Sequence, residues 1–424
     1  MSDITLYTAS WLYNPGRPPI AGGAVAVQDG RILTVGPATE LVMRFGPPRS
    51  DFPDCVIMPG FVNAHSHLEL THFPAWRLRG GLDYHPHRFV DWIVQLVKVR
   101  RGVKPDETID SLKAGVAACL RAGTTCVGDI VTSPELLGAY EGSALAGRFY
   151  LELIGQDSAL FELRLHKALE AASRPFGGLL PGLSPHAPYT LASDLLPGIA
   201  TASRQRGLPL SVHLAESADE DRLLFDSTGP LAEELYPLVG WRGYLPPPRR
   251  TTPARFLDAG GLLGPATLAV HGVQLTPADA QLLKSRGVTI CLCPRSNERL
   301  AVGTAPVHLF KKLGIPLCIG TDSLASNDSL SMWDELRFAR DVYSGAVMPD
   351  ELVQLATSGG ADGLGLSAVV GSLEEGKRAD MQVVPLAGRV DDFGNNLAEL
   401  LLQSGGPTAV LAGGRTVAEQ AIWG

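Results

Sequence analysis

The residues best suited to chemistry in this sequence are His65 with His67, His186, His213 with Glu216, His271 and Asp322. In His65-Ser66-His67 two imidazoles stand two residues apart, so at a strand end they face the same way and can share one ion. His213-Leu-Ala-Glu216 supplies a third imidazole and, one turn beyond it, a carboxylate placed to shuttle protons. Asp322, in IGTDSLASND, offers a carboxylate that can ligate the same ion and take a proton from an attacking water. Each alone has an ordinary alternative: H-x-H pairs are common, Glu216 stands where a helix cap belongs, and Asp322 lies in a turn-rich stretch. His85-Pro86-His87 repeats the H-x-H spacing inside an insertion, which suits lid residues touching a substrate better than ligands. His72, His166 and His308 fall in loop or helix contexts and read as packing or surface residues.

What unites the first group is the pattern of elements around it. Short apolar runs alternate with helical segments, the signature of a parallel sheet built from βα units. The runs are Ile57–Asn63, Cys126–Ile130, Phe149–Ile154, Leu180–Ser184, Leu210–His213, Thr267–His271, Thr289–Cys293 and Leu317–Thr321. Helical patterns intervene at Asp106–Ala122, Asp194–Arg206, Pro277–Ser285 and Ser331–Val342, with Gly123 and Gly207 where helix ends are expected. Runs of this number and spacing predict an α/β fold, a closed (β/α)8 TIM-type barrel, whose active site lies at the C-terminal ends of its strands. His65 and His67 end or follow the first run, His186 the fourth, His213 the fifth, His271 the sixth and Asp322 the eighth. That shared placement argues for one site.

The chain ends read differently. Residues 21–36 form two short strands joined by Asp29-Gly30, a pair suited to the positive φ angles of a hairpin turn. Ala379–Val384 and Thr408–Ala412, followed by a Gly413-Gly414 turn and Arg415–Val417, are β-rich as well. The expectation is a composite β-sandwich domain from residues 1–56 and 366–424, and a catalytic barrel over 57–365. Residues 74–105 are a long insertion and a candidate lid. The link between the fifth and sixth runs, with Pro246-Pro247-Pro248, is a second excursion over the surface or the site.

Composition narrows the function classes. At 424 residues the chain exceeds the size at which one core stops growing, and it is 45% hydrophobic, 19% charged and carries a net charge of −8. No basic stripe suits a nucleic acid, and no run of about 20 uncharged apolar residues suits a membrane. The N-terminus lacks a secretory pattern, so the expected location is cytoplasmic. Its six cysteines sit mostly in apolar runs as small buried hydrophobes. Cys291 and Cys293 are expected on opposite faces of a strand, with no zinc knuckle.

The segments MPGFVNAHSHLEL, LSPHAPYT, VHLAES, VHGVQLT, CPRSNERL and GTDSLASNDSL, with GSLEEGKRAD near the C-terminus, together resemble the amidohydrolase superfamily in its branch of purine and related aminohydrolases. The resemblance runs in order along the whole chain. It implies one divalent ion per chain, zinc first and iron second, held by His65, His67, His213 and Asp322. The lysine that bridges two metals elsewhere in the superfamily is missing from LSPHAPYT, which implies a mononuclear site. It further implies that Asp322 takes a proton from the attacking water, His271 aims that water at a ring carbon, and Glu216 protonates the adjacent ring nitrogen before ammonia leaves. His186 then resembles a residue that contacts the substrate near the base or ribose.

Within this branch, deaminases of S-adenosylhomocysteine and methylthioadenosine carry a glutamate downstream of a lid tryptophan, where it holds ribose hydroxyls. Here Trp92 leads instead to Arg100-Arg101. VGDIVTSPELL and GPLAEELYP resemble the aminodeoxyfutalosine deaminases of the futalosine route to menaquinone, whose nucleoside carries an aromatic carboxylate that an arginine can bind through paired hydrogen bonds. The expected substrate is therefore 6-amino-6-deoxyfutalosine, with Trp92, Arg101, Arg148 and His186 as substrate-binding residues. Deamination of adenosine, methylthioadenosine or S-adenosylhomocysteine, or attack on another ring C–N bond, is the alternative. A barrel that has lost catalysis and serves as a scaffold has no need of Glu216, His271 and Asp322 together. The partner expected is a small nucleoside, without nucleic acid or membrane, and a homodimer is left open.

Overall fold

The computed structural model describes residues 3–82, 88–391 and 394–419 of the chain. Eight parallel strands form one sheet in sequence order: Phe61–Ser66, Thr124–Val131, Ala146–Leu153, Leu179–Pro185, Leu210–Leu214, Thr267–His271, Thr289–Leu292 and Leu317–Ile319. The ends of that sheet meet where Ser66 bridges Asp322 and the Asp322 amide donates to the His65 carbonyl at 3.1 Å. The sheet is thus an almost closed α/β barrel.

Alternation along the strands builds its two cores. Ile130, Tyr150, Leu268, Val270, Cys291 and Cys318 pack inside the barrel, while Val127, Phe149, Leu151, Ala269 and Ile290 face the helices. Cys293 joins Cys291 in the interior cluster, which corrects the expectation of opposite faces: a period of two puts residues i and i+2 on the same side. All six cysteines are buried and free.

A second sheet runs Arg415–Glu419, Ala409–Ala412, Met381–Pro385, Ser50–Pro59, Thr5–Leu12, Ile20–Gln28 and Arg31–Pro37, so strands from both ends of the chain interleave. The Asp29-Gly30 hairpin turn has φ angles of 51° and 75°, as its sequence predicts. The run Ile57–Asn63 is not one strand. Ile57 to Pro59 pair with Met381–Val383 in the second sheet, and the barrel strand starts only after Gly60. A Cβ on Gly60 would lie 2.3 Å from the Thr125 hydroxyl, so a glycine is what lets the chain cross from one sheet to the other.

The insertion after the first barrel strand contains the helices Phe73–Arg79 and Phe89–Arg100. His85 and His87 lie outside the described residues.

Candidate metal-dependent active site

The first barrel strand shifts register against its neighbour between Asn63 and Ser66. Past that irregularity both His65 and His67 reach the C-terminal mouth, where they meet His213, from the end of the fifth strand. The ligand nitrogens of the three lie within 4.8 Å of one another. Asp322 completes the set, with Oδ1 at 3.6 Å from Nε2 of both His65 and His67. Its other oxygen accepts hydrogen bonds from Ser296 Oγ at 2.7 Å and Ser326 Oγ at 2.6 Å. The carboxylate is thereby fixed with one oxygen turned to the imidazoles.

This group fits a cation. Both ring nitrogens of fully buried His65 lack any hydrogen-bond partner, and the Nε2 atoms of His67 and His213 face each other at 3.3 Å. Buried polar atoms are rarely left so, and one divalent ion would satisfy them together. His213 Nδ1 contacts the His186 carbonyl at 2.8 Å, which fixes the proton there and frees Nε2 as a ligand. Burial, reinforced by the neighbouring imidazoles, lowers the His67 ring to about 3 and holds His213 well below the usual range. Both are therefore neutral, the form that binds metal. Burial works against ionisation of Asp322, yet the facing imidazoles, His65 foremost, hold its carboxyl well below the ordinary value.

Proton-transfer groups stand beside this centre. By strand alternation His271 should point outward after Val270, but its φ of 74° turns the ring back into the site. Such a conformation is costly for a non-glycine residue and concentrates at functional positions. Its Nδ1 meets Asn297 Oδ1 at 2.9 Å and its Nε2 lies 3.4 Å from Glu216 Oε1. Burial lowers the His271 ring to about 4, so Nδ1 carries the proton toward Asn297 and Nε2 keeps its lone pair. Burial, then the charges of Asp322 and Glu220, raise Glu216 well above the carboxylate range. Burial thus favours the acid form of Glu216 and the neutral form of His271, side by side.

A cavity of about 580 Å³ opens over these groups, bordered by His67, His186, His213, Glu216, His271 and Asp322. Helix Phe89–Arg100 supplies one wall through Trp92, Leu96 and Arg100, and Arg101 extends it. Trp92 Nε1 donates to the Ala325 carbonyl at 2.8 Å, pinning that helix to the loop that carries Asp322. Arg100 is ion-paired with buried Glu69 and bonded to Thr132. Arg101 is exposed and, among the described residues, donates only to the Leu238 carbonyl, at 3.1 Å. The long link from the fifth to the sixth strand borders the cavity through Leu235, Val239 and Trp241 rather than its proline run.

Arg148 is a correction. It sits near the start of the third strand, away from the mouth, and donates to the carbonyls of Leu364 and Pro181 at 3.1 and 2.6 Å. It does not line the cavity, because strand beginnings lie at the opposite end of a barrel from its active site. The same strand brings Glu152 to the mouth instead, a residue no motif pointed to. Ser296, Asn297 and Ser326 were also unassigned, although they lie inside the quoted CPRSNERL and GTDSLASNDSL segments.

Comparison with known proteins agrees with this geometry. The sequence profile of the amidohydrolase family matches residues 56–417. The chain is 31% identical over 374 residues to a 5-methylthioadenosine/S-adenosylhomocysteine deaminase of Saccharophagus degradans, covering 84% of this chain and 77% of the relative. It is 31% identical over 368 residues to an aminodeoxyfutalosine deaminase of Deinococcus radiodurans, covering 84% of each. Among solved structures, a zinc-bound adenosine deaminase from Xanthomonas campestris superposes with a TM-score of 0.80 at 27% identity, covering 99% of this chain and 93% of that one.

Proposed function

The chain belongs to the amidohydrolase family, and from that premise we propose that it is a metal-dependent hydrolytic deaminase of an adenine nucleoside, releasing ammonia. The observation that carries this reading is buried Glu216, 3.4 Å from His271, beside three imidazoles and a carboxylate suited to one zinc ion, with burial favouring the acid form of Glu216 and the neutral form of His271. When bound, such an ion acts as a Lewis acid and lowers the pKa of water from about 15.7 toward 7.

The protein's own groups do the rest. Asp322, held at Oδ2 by two serine hydroxyls, presents Oδ1 to take a proton from the attacking water. His271, whose Nδ1 is engaged by Asn297, accepts a hydrogen bond at Nε2 and so aims that water at the ring carbon bearing the amino group. Glu216 donates its proton to the adjacent ring nitrogen, which makes the carbon electrophilic. The proton held by Asp322 then passes to the amino group, which leaves as ammonia while the remaining hydroxyl proton returns to Glu216, so that the product carries a carbonyl and the acid is restored.

For the substrate we favour 6-amino-6-deoxyfutalosine, of the futalosine route to menaquinone in the cytoplasm. Arg101 stands at the cavity edge with no carboxylate partner among the described residues, which suits recognition of an anionic group on the nucleoside. The relative from Deinococcus radiodurans bears that activity in its name. The second reading, methylthioadenosine or S-adenosylhomocysteine, rests on the equally similar relative from Saccharophagus degradans.

A panel of adenine nucleosides, followed by ammonia release and by the absorbance change as an amino group becomes a carbonyl, tests the proposal together with metal analysis. About one zinc per chain and highest kcat/KM on aminodeoxyfutalosine are expected. Turnover of no adenine nucleoside by the zinc-loaded protein would overturn the deaminase reading. Preference for a thioether nucleoside would overturn only the choice of substrate.

A further inference from the structure

We propose that Glu152 is a specificity-determining residue of this site, a carboxylate on the cavity wall that accepts hydrogen bonds from the vicinal hydroxyls of the substrate's ribose. The inference rests on the nucleoside reading above and adds to it a residue that no motif marked.

Strand Ala146–Leu153 explains how Glu152 gets there. Phe149, Leu151 and Leu153 turn outward into the helix-facing core, and Tyr150 turns into the barrel. Arg148 and Glu152 lie two residues to either side of Tyr150 and share its face. Arg148 is consumed at the closed end by the carbonyls of Leu364 and Pro181. Glu152, at the C-terminal end, borders the cavity.

Its surroundings leave its oxygens free for a ligand. His186 Nε2 lies 3.9 Å from its Oε1, beyond hydrogen-bond reach. No described side chain donates to it, and the nearby guanidinium of Arg100 is already engaged by Glu69 and Thr132. A mostly buried carboxylate without donors is costly, and it is relieved when a ligand brings them. Apart from the 6-amino group, which must lie at the metal centre, hydroxyl groups are the donors an adenine nucleoside carries.

Position fits as well. His186 packs with its ring centroid 4.8 Å from that of His213, so it stands next to the centre where the base must react, and Glu152 lies 3.9 Å from its Nε2 on the same cavity wall. Burial, then the neighbouring Glu69 charge, raises the Glu152 carboxyl to about 7, so a second carboxylate beside it is disfavoured, whereas Arg101 at the cavity edge suits an anionic end of the nucleoside. Glu152 thus offers the sugar a hydrogen-bonding carboxyl from a barrel strand.

The test uses the zinc-loaded protein with Glu152→Gln and Glu152→Ala, assayed on adenosine and 2′-deoxyadenosine. Where turnover of either is slow, it is measured as a competitive inhibitor of whichever nucleoside is deaminated. Wild type should prefer the ribonucleoside about tenfold or more. Glu152→Gln, nearly isosteric, should lose most of that preference by weakening adenosine while leaving 2′-deoxyadenosine within about threefold. Glu152→Ala should abolish the preference. Equal losses on both nucleosides, or an unchanged ratio, would overturn the assignment while leaving the deaminase reading intact. Failure of wild type to act on or bind any adenine nucleoside would remove both.

Discussion

At the scale of single residues, Glu216 and Arg101 separate chemistry from recognition. Glu216 is buried, with its carboxyl raised well above the ordinary range by that burial, lies 3.4 Å from His271, and is outside the cluster of metal-binding nitrogens. Glu216→Gln should therefore keep the fold and about one zinc per chain but lower kcat roughly 10²–10⁴-fold, the usual contribution of a general acid–base group. His213→Ala should instead lose the zinc. Wild-type turnover in Glu216→Gln would remove its proton-donating role. Arg101 is exposed and its only partner among the described residues is a carbonyl, so its loss should matter only to a substrate that offers an anion. Arg101→Met should reduce kcat/KM for aminodeoxyfutalosine by about 1.5 kcal/mol, roughly tenfold, the value of a charge-assisted hydrogen bond. Adenosine should be nearly unaffected. Equal effects on both substrates would take Arg101 out of recognition. The residues legible in the sequence are His65, His67, His213 and Asp322, each ordinary alone but together recurring at the ends of separate strand runs. Ser296, Ser326 and Asn297 did not, because a hydroxyl or an amide that steadies a functional group looks in sequence like any turn residue.

At the scale of elements, periodicity placed the strands and missed the breaks in it. Thr267–His271 was read to the residue and Pro277–Arg286 to within one, since both have regular patterns with clear stop signals. Ile57–Asn63 was read as a single run because hydrophobicity does not change across Gly60, where the chain leaves one sheet for another. Arg148 was misplaced for a related reason: composition shows that a charged residue faces the barrel interior but not at which end of the strand its side chain finds partners. The irregular segments matter most where the barrel closes. Gly320, just beyond the last strand, packs so tightly on the first that an added Cβ would lie 2.7 Å from both the amide nitrogen and the carbonyl oxygen of His65. Backbone cannot yield as a flexible side chain can, so Gly320→Ala should push apart the two strand ends that carry His65 and Asp322. We expect a stability loss of about 1–3 kcal/mol, as for other overpacking changes, together with weaker zinc retention against a chelator. The linked loss is the informative part. A variant that is destabilised yet holds zinc as wild type does would show that closure and metal binding are independent.

At the scale of the whole molecule, the interior carries more acid groups than the site requires, and their titration should be visible in stability. Burial foremost raises Glu335 and Glu220 to about 8 and Asp129 to about 7. Glu335 sits between the Arg295 amide and Asn327, and Asp129 holds Ser66, the Leu68 amide and Tyr140 behind the first histidine pair. In the unfolded chain these carboxyls ionise near pH 4. Between that pH and their folded values the native state binds more protons than the unfolded one, so stability falls as pH rises. The buried imidazoles act in the opposite sense. His67, at about 3, and His186 and His271, at about 4, are neutral when folded but protonate near pH 6.5 when unfolded, so their contribution grows as pH rises and is complete above about 6.5. The two effects oppose each other from about pH 4.5 to 6.5, and above that only the carboxyl term remains. Metal-free protein should therefore lose stability from pH 6.5 to pH 8, on the order of 4 kcal/mol in urea unfolding. Glu335→Gln, which cannot ionise, should flatten part of that fall while leaving the region below pH 6 unchanged in slope apart from its own missing carboxyl. A flat or rising profile from pH 6.5 to 8 in the wild type would show that these carboxyls are already ionised in the folded protein and that the hydrogen bonds around them outweigh their burial.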